Sequence, residues 1–151
     1  MAELPGGITL SQIDQVGIVV RDLDRAMEYY TSTFGIGPFR IVKLEREGLI
    51  RGKVTSFHLR LAIAQVGSVA FELIQSLDDV SIHNEQLAAK GEGLHHLGFY
   101  VEDMEAKIAE LGKRGIGVLQ SARTERGGFA YMDTEGIAGV IFELIQRAPQ
   151  A

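Results

Sequence analysis

Two near-identical segments carry the residues best suited to chemistry: Val-Ala-Phe-Glu-Leu-Ile-Gln at 69–75 and Val-Ile-Phe-Glu-Leu-Ile-Gln at 140–146. Each reads as a strand, rich in β-branched and aromatic residues, with one carboxylate in its middle. An ionised Glu inside an apolar strand is costly to bury unless something compensates it. The same Glu at the same place in two copies calls for a shared reason. Glu72 and Glu143 are therefore expected to meet at one site, held there by a divalent metal ion.

The elements that must position them also recur. Residues 13–20 read as a strand with Val16, Ile18 and Val20 on one face and Gln15, Gly17 and Val19 on the other. Asp22 is a helix N-cap, and Leu23, Met27, Tyr30 and Phe34 recur at helical spacing over 23–34, with Gly35 as the stop. A second strand is expected at about 39–45, a polar loop at 46–53, a third strand at 54–65 and the first Glu strand at 69–75. Residues 77–93 form a connector with a short helix at 82–90. The pattern then restarts. Leu94–Val101 matches the first strand, Asp103 matches Asp22, Met104, Ile108 and Leu111 repeat the helical stripe, and Gly115-Ile116-Gly117 echoes Gly35-Ile36-Gly37. Strands at about 117–121, 129–133 and 140–146 complete the copy. Gln15 stands to His96 as Asp22 stands to Asp103, at the same separation along the chain. The expected organisation is one domain over 11–147, made of two repeats (11–76 and 94–147) joined by the connector 77–93.

Two such modules paired by pseudo-symmetry make an α+β fold of two tandem βαβββ units, a curved, mainly antiparallel sheet with helices outside and a metal-binding cleft inside. Alternation then selects four matched inward positions: Gln15, Glu72, His96 and Glu143. Imidazole, two carboxylates and an amide oxygen suit one Zn, Co, Ni, Mn or Fe ion per chain and leave positions for substrate oxygens. His95 should face the other way and be structural, and His58 and His83 are expected at the surface or the cleft rim.

Composition limits the alternatives. There is no cysteine, which excludes thiolate catalysis, thiolate metal sites and disulfides. A net charge of −5 argues against nucleic acid as a partner. Residues 1–7 lack the basic and apolar regions of a signal peptide, and no stretch reaches membrane-spanning length. A cytoplasmic protein without a membrane partner is expected.

At this point the chain resembles the vicinal-oxygen-chelate superfamily, which includes glyoxalase I, methylmalonyl-CoA epimerase, extradiol dioxygenases and bleomycin-resistance proteins. The resemblance covers about 11–147. The stretch GEGLHHLGFYVEDMEAKIAELGKRGI at 91–116 is similar to the epimerase branch, including a His-His pair whose second member, here His96, is the ligand. GVIFELI at 139–145 fits with Glu143 as the last ligand. Epimerases usually open with His where this chain has Gln15, whereas animal-type glyoxalase I uses Gln, Glu, His and Glu in the order found here.

The resemblance implies a metal-dependent isomerase or lyase. The leading expectation is an epimerase that abstracts a proton next to a carbonyl, through a metal-stabilised enolate, on an acyl-CoA thioester small-molecule substrate. The alternative is glyoxalase I (lactoylglutathione lyase), and a further alternative is a non-catalytic binding protein of the bleomycin-resistance type. By resemblance Glu143 is both ligand and base, and a Glu after the second strand is a further base, with Glu47 preferred over Glu45. Arg40, Lys43, Arg46, Arg51 and Lys53 are either contacts for a CoA phosphate or glutathione carboxylate, or solvated charges. A homodimer is expected by the same resemblance.

Overall fold

A computed structural model of the chain describes residues 8–148. Residues 1–10, which read as a loose lead-in, and the tail from Arg147, which reads as frayed, lie partly outside them. The element order is β1 (Gln15–Val19), α1 (Leu23–Phe34), β2 (Arg40–Ile50), β3 (Lys53–Val66), β4 (Val69–Ser76), α2 (Ile82–Lys90), β5 (Gly93–Tyr100), α3 (Met104–Lys113), β6 (Val118–Thr124), β7 (Gly127–Met132) and β8 (Ile141–Gln146). This is the α+β arrangement expected, with each half reading βαβββ. Among the described residues, no helix is long and apolar enough to cross a membrane.

The repeated heptapeptide does two jobs in each half. Its Leu (Leu73 or Leu144) faces outward beneath α1 or α3, packing with Leu23 or Met104. Its final Gln reaches the same helix: Gln75 accepts from the Leu23 N–H and Gln146 from the Met104 N–H, each at 2.9 Å. Asp22 and Asp103 accept from the next free donors, Arg25 N–H and Ala106 N–H. Two of the unpaired amides at each helix start are thus satisfied, one by the cap and one by the strand below.

The sheet order is β1-β4-β3-β2-β6-β7-β8-β5, closed on itself. Each half contributes one parallel pair, β1 with β4 and β5 with β8, and the halves join through antiparallel β1–β5. The expected cleft is therefore a barrel, closed by a short β2–β6 contact in which Leu49 pairs with Ser121 and Ile50 with Gln120. Gly48 permits this approach, since a Cβ there would overlap the Ser121 carbonyl oxygen. Phe57, Leu59, Ile74, Leu119, Tyr131 and Ile141 fill the interior, and Ile82 from the start of α2 packs among them.

The polar loop expected at 46–53 is instead strand and hairpin. β2 runs to Ile50 and turns back at Arg51-Gly52, both at positive φ (48° and 81°), the geometry of a two-residue hairpin. Of the charges that suggest a loop, Glu47 points outward from the paired strand and Arg51 stands in the turn, engaged by Glu85.

Candidate metal centre

Gln15, Glu72, His96 and Glu143 converge inside the barrel. His96 Nε2 lies 2.8 Å from Glu143 Oε2, 3.2 Å from Gln15 Oε1 and 3.8 Å from Glu72 Oε1. Gln15 Nε2 donates to Glu72 Oε2 at 3.2 Å. The four side chains come from β1, β4, β5 and β8, the strands of the two parallel pairs, so the site straddles the joint between the halves. His96 is fully buried, while Gln15, Glu72 and Glu143 keep 5–8% exposure.

Two glycines that sequence reasoning passed over make the convergence possible. Gly17 lies two residues after Gln15 and Gly98 two residues after His96, each on the same face of its strand. A Cβ on Gly17 would overlap the His96 ring, and one on Gly98 would lie 2.9 Å from Gln15 Cβ. Each module thus leaves a gap for the other module's polar side chain, Gly17 for His96 and Gly98 for Gln15. The signal was present in the chain: Gly17 and Gly98 have the same separation as Gln15 and His96.

His95 does not face away from the site. The β1–β5 register runs from Gly17↔His96 directly to Ile18↔Leu94, so His95 is the extra residue of a β-bulge. The bulge breaks the period-2 alternation and buries both imidazoles, at 3% and 0% exposure. Their Nδ1 atoms are 3.0 Å apart. His83, expected at the surface or rim, is also fully buried: α2 carries it against the His95 ring (centroids 4.6 Å apart) and within 3.2 Å of the Tyr131 hydroxyl. His58 is exposed and paired with Asp78, as the surface reading allowed.

Glu47 is not brought to the site. On β2 the residues opposite Phe57, Leu59 and Leu61 are Arg46, Leu44 and Val42, which share the interior face. Glu47 pairs with Ser56 and Glu45 with His58 on the outside, where Glu45 meets Lys43 at 3.5 Å. Glu47 instead lines an outer depression with Leu49, Val54 and Arg123. The physical reason is strand parity, which a loop assignment at 46–53 concealed. Parity also sorts the cations: Arg40 and Arg46 belong to the interior face, and Lys43 does not. Arg51 is engaged by Glu85 at 2.6 Å.

Burial and the nearby Glu143 push the Glu72 carboxyl up to about 7, against partial relief from His96 and Arg40. Burial lowers the His96 pKa, but Glu143, through charge and close contact, and Glu72 outweigh it and raise it. Burial drives His83 down to about 3 and His95 lower still. The signs predict a stability optimum for the metal-free protein. Glu72 contributes stability below its ordinary 4.5 that is lost as pH rises towards 7, and the His96 contribution is lost above 6.5. The contributions of His83 and His95 are present above 6.5 and lost as pH falls. Thermal unfolding in chelator should therefore show Tm falling on both sides of about pH 6.5, and saturating metal should remove the alkaline loss. A flat alkaline arm in chelator would refute this balance.

The donor set fits a divalent ion. With bond lengths of about 2.0–2.2 Å, neighbouring ligand atoms of one ion lie roughly 3–3.5 Å apart, and the contacts around His96 Nε2 span 2.8–3.8 Å. The 2.8 Å contact lacks hydrogen-bond alignment, so Glu143 Oε2 is a buried oxygen without a donor. A cation would complete it. His83, His95 and His96 form a second cluster, with ligand atoms within 4.8 Å of one another. That cluster has no carboxylate of its own, and apart from His96 Nε2 and the unpartnered His95 Nε2 its nitrogens face each other, Ser81 and Tyr131. The mixed set is the better match to a divalent ion.

Residues 14–132 match the model of the glyoxalase/bleomycin resistance protein/dioxygenase superfamily. The chain belongs to that superfamily. Among curated proteins it is 27% identical over 142 residues to the uncharacterized protein YqjC of Bacillus subtilis (strain 168), covering 91% of this chain and 93% of the relative. Among solved structures it is similar to a variant of Streptomyces coelicolor methylmalonyl-CoA epimerase in complex with 2-nitronate-propionyl-CoA. That match has 27% identity and a TM-score of 0.74, covering 93% of this chain and all of that one. Methylmalonyl-CoA epimerase from Mycobacterium tuberculosis matches at 25% identity and a TM-score of 0.66, covering 93% and 90%. The superfamily assignment thus agrees with a fold whose two halves meet over one polar centre.

Proposed function

We propose that this protein is a metal-dependent enzyme that abstracts a proton next to a carbonyl, acting on an acyl-CoA thioester in the manner of methylmalonyl-CoA epimerase. The observation that carries the reading is the convergence of Gln15, Glu72, His96 and Glu143 from both halves on one point in the interior. A divalent ion held by these residues would act as a Lewis acid towards substrate oxygens. Glu143, whose Oε2 has no hydrogen-bond donor, takes the substrate proton. Glu72 comes from the other half and brings a second carboxylate beside the centre, through which a proton can be returned. The apolar walls of the barrel exclude water from the exchange. Arg40 sits on the interior face of β2, in the cross-strand row that runs through Ile63 to Glu72, and forms no salt bridge among the described residues. It serves as the anchor for an anionic group of the substrate.

One observation favours a second reading, glyoxalase I. Glu72 and Glu143 are the only buried carboxylates among the described residues, and no further Glu from β2 joins them. The ligand order Gln, Glu, His, Glu is also the one that resemblance ties to that enzyme.

The test is metal analysis followed by two assays. About one divalent ion per chain should be found after loading, with solvent deuterium entering C2 of methylmalonyl-CoA. Formation of lactoylglutathione from the methylglyoxal–glutathione adduct, without that exchange, would select the second reading. Metal bound with neither reaction would leave a binding protein. Arg40→Gln should raise KM for the CoA substrate about tenfold, the scale of one charge-assisted contact, while leaving metal content unchanged.

A further inference from the structure

We propose that His95 is a positioning residue: it accepts a hydrogen bond from His96 Nδ1–H and so commits His96 to presenting Nε2 to the site. The inference rests on the four-ligand reading above, but its argument comes from the opposite side of the ring.

Two nitrogens 3.0 Å apart share one proton, so one Nδ1 donates and the other accepts. Glu143, Gln15 and Glu72 crowd His96 Nε2, so this nitrogen is the one turned to a metal ion. A neutral imidazole bound through Nε2 carries its one hydrogen on Nδ1. On the other side, His95 Nε2 is buried and has no hydrogen-bond partner. The His83 and Tyr131 rings pack against His95, with centroids 4.6 Å and 5.5 Å away, and neither ties up that nitrogen, which is free to carry the His95 hydrogen. His95 is therefore the Nε2–H tautomer, and its Nδ1 lone pair points at His96.

The backbone supports the same assignment. Without the bulge at His95 the two imidazoles would fall on opposite faces of β5 and could not meet. The bulge disrupts the strand pairing and places a second imidazole where only its acceptor nitrogen is engaged. Outer partners of this kind orient a metal-binding His and typically account for about 10–100-fold in affinity.

The experiment compares His95→Phe, which keeps a ring but has no acceptor, with His95→Gln, which keeps an acceptor oxygen. Zinc affinity is measured by chelator competition on protein whose fold is checked by near-UV circular dichroism. His95→Phe should bind about 10–100-fold more weakly, and His95→Gln should stay within about threefold of the parent. Equal losses in both variants, or no loss in His95→Phe, would overturn the proposal. Nitrogen-15 spectra of the unmutated, zinc-loaded protein decide independently, even if a variant fails to fold, and zinc uptake itself, read first, tests the four-ligand reading separately. His95 should show a pyridine-type Nδ1 and a protonated Nε2; the reverse pattern would overturn it. Were the three imidazoles themselves the metal site, His83→Phe would abolish binding and Glu72→Gln would spare it, which also contradicts the proposal.

Discussion

Glu143→Gln is expected to lower metal affinity at least about a hundredfold, beyond the 10–100-fold typical of outer partners, and to abolish proton exchange. The substitution is nearly isosteric, so packing against Tyr131 across the β7–β8 pair and the neighbouring Leu144 should persist. What changes is charge. Glu143 is the closest group to His96 Nε2 and the leading raiser of its pKa. Removing one partner of a buried pair leaves the other uncompensated, a cost of about 3–5 kcal/mol. Here the imidazole can lose its proton instead, so the stability loss should be smaller and the metal loss larger. If Glu143 is also the base, kcat should fall by about 10²–10⁴ even at saturating metal. Titration of metal into the variant, followed by the exchange assay at saturation, separates the two roles. A variant that binds metal like the parent would remove Glu143 from the ligand set. One that binds weakly but turns over normally when saturated would remove it as the base.

Gly17→Ala should disable the site without touching a ligand. A single Cβ at this position would overlap the His96 ring, and the ring cannot retreat because His95 and Tyr131 pack behind it (centroids 5.3 and 4.9 Å away). Overpacking of this kind costs about 1–3 kcal/mol. The added carbon points at the ligand itself, so metal affinity should fall with stability, by about tenfold or more for a displacement of an ångström. Alanine is the smallest side chain that poses the question. Gly98→Ala should show the same effect more mildly, because its Cβ would meet Gln15 Cβ at 2.9 Å and the Ile145 methyl at 3.0 Å, smaller overlaps than the one Gly17 avoids. Chemical denaturation and metal titration on the two variants check the order. If Gly17→Ala binds metal normally, the two-glycine account of the site is wrong.

The repeat made much of the molecule legible. Strand alternation and helix caps placed α1 at 23–34 and α2 at 82–90, matching the observed spans, and set Gln15, Glu72, His96 and Glu143 on the interior face. These features are local: a cap, a stripe or an alternating face is decided by neighbours within a few residues. The matched Glu72 and Glu143 added the one long-range inference, because a duplicated carboxylate in an apolar strand implies a shared centre.

The errors share a different cause. Glu47 is the base that resemblance to the epimerases favours, and only pairing with β3 reveals its outward parity. His95 was assigned to the outer face by an alternation that a bulge suspends, and a bulge exists only relative to the partner strand. His83 looked peripheral on a polar connector until α2 was seen to bury it against His95 and Tyr131. What the amino-acid sequence by itself determined is therefore the repeated module and the four inward donors, since both follow from periodicity within one strand or helix. The tertiary structure alone decided which further groups stand behind those donors, which carboxylates stay outside and how the cleft closes into a barrel. Each of these depends on register between strands far apart in the chain, and a one-residue shift in register exchanges inside for outside.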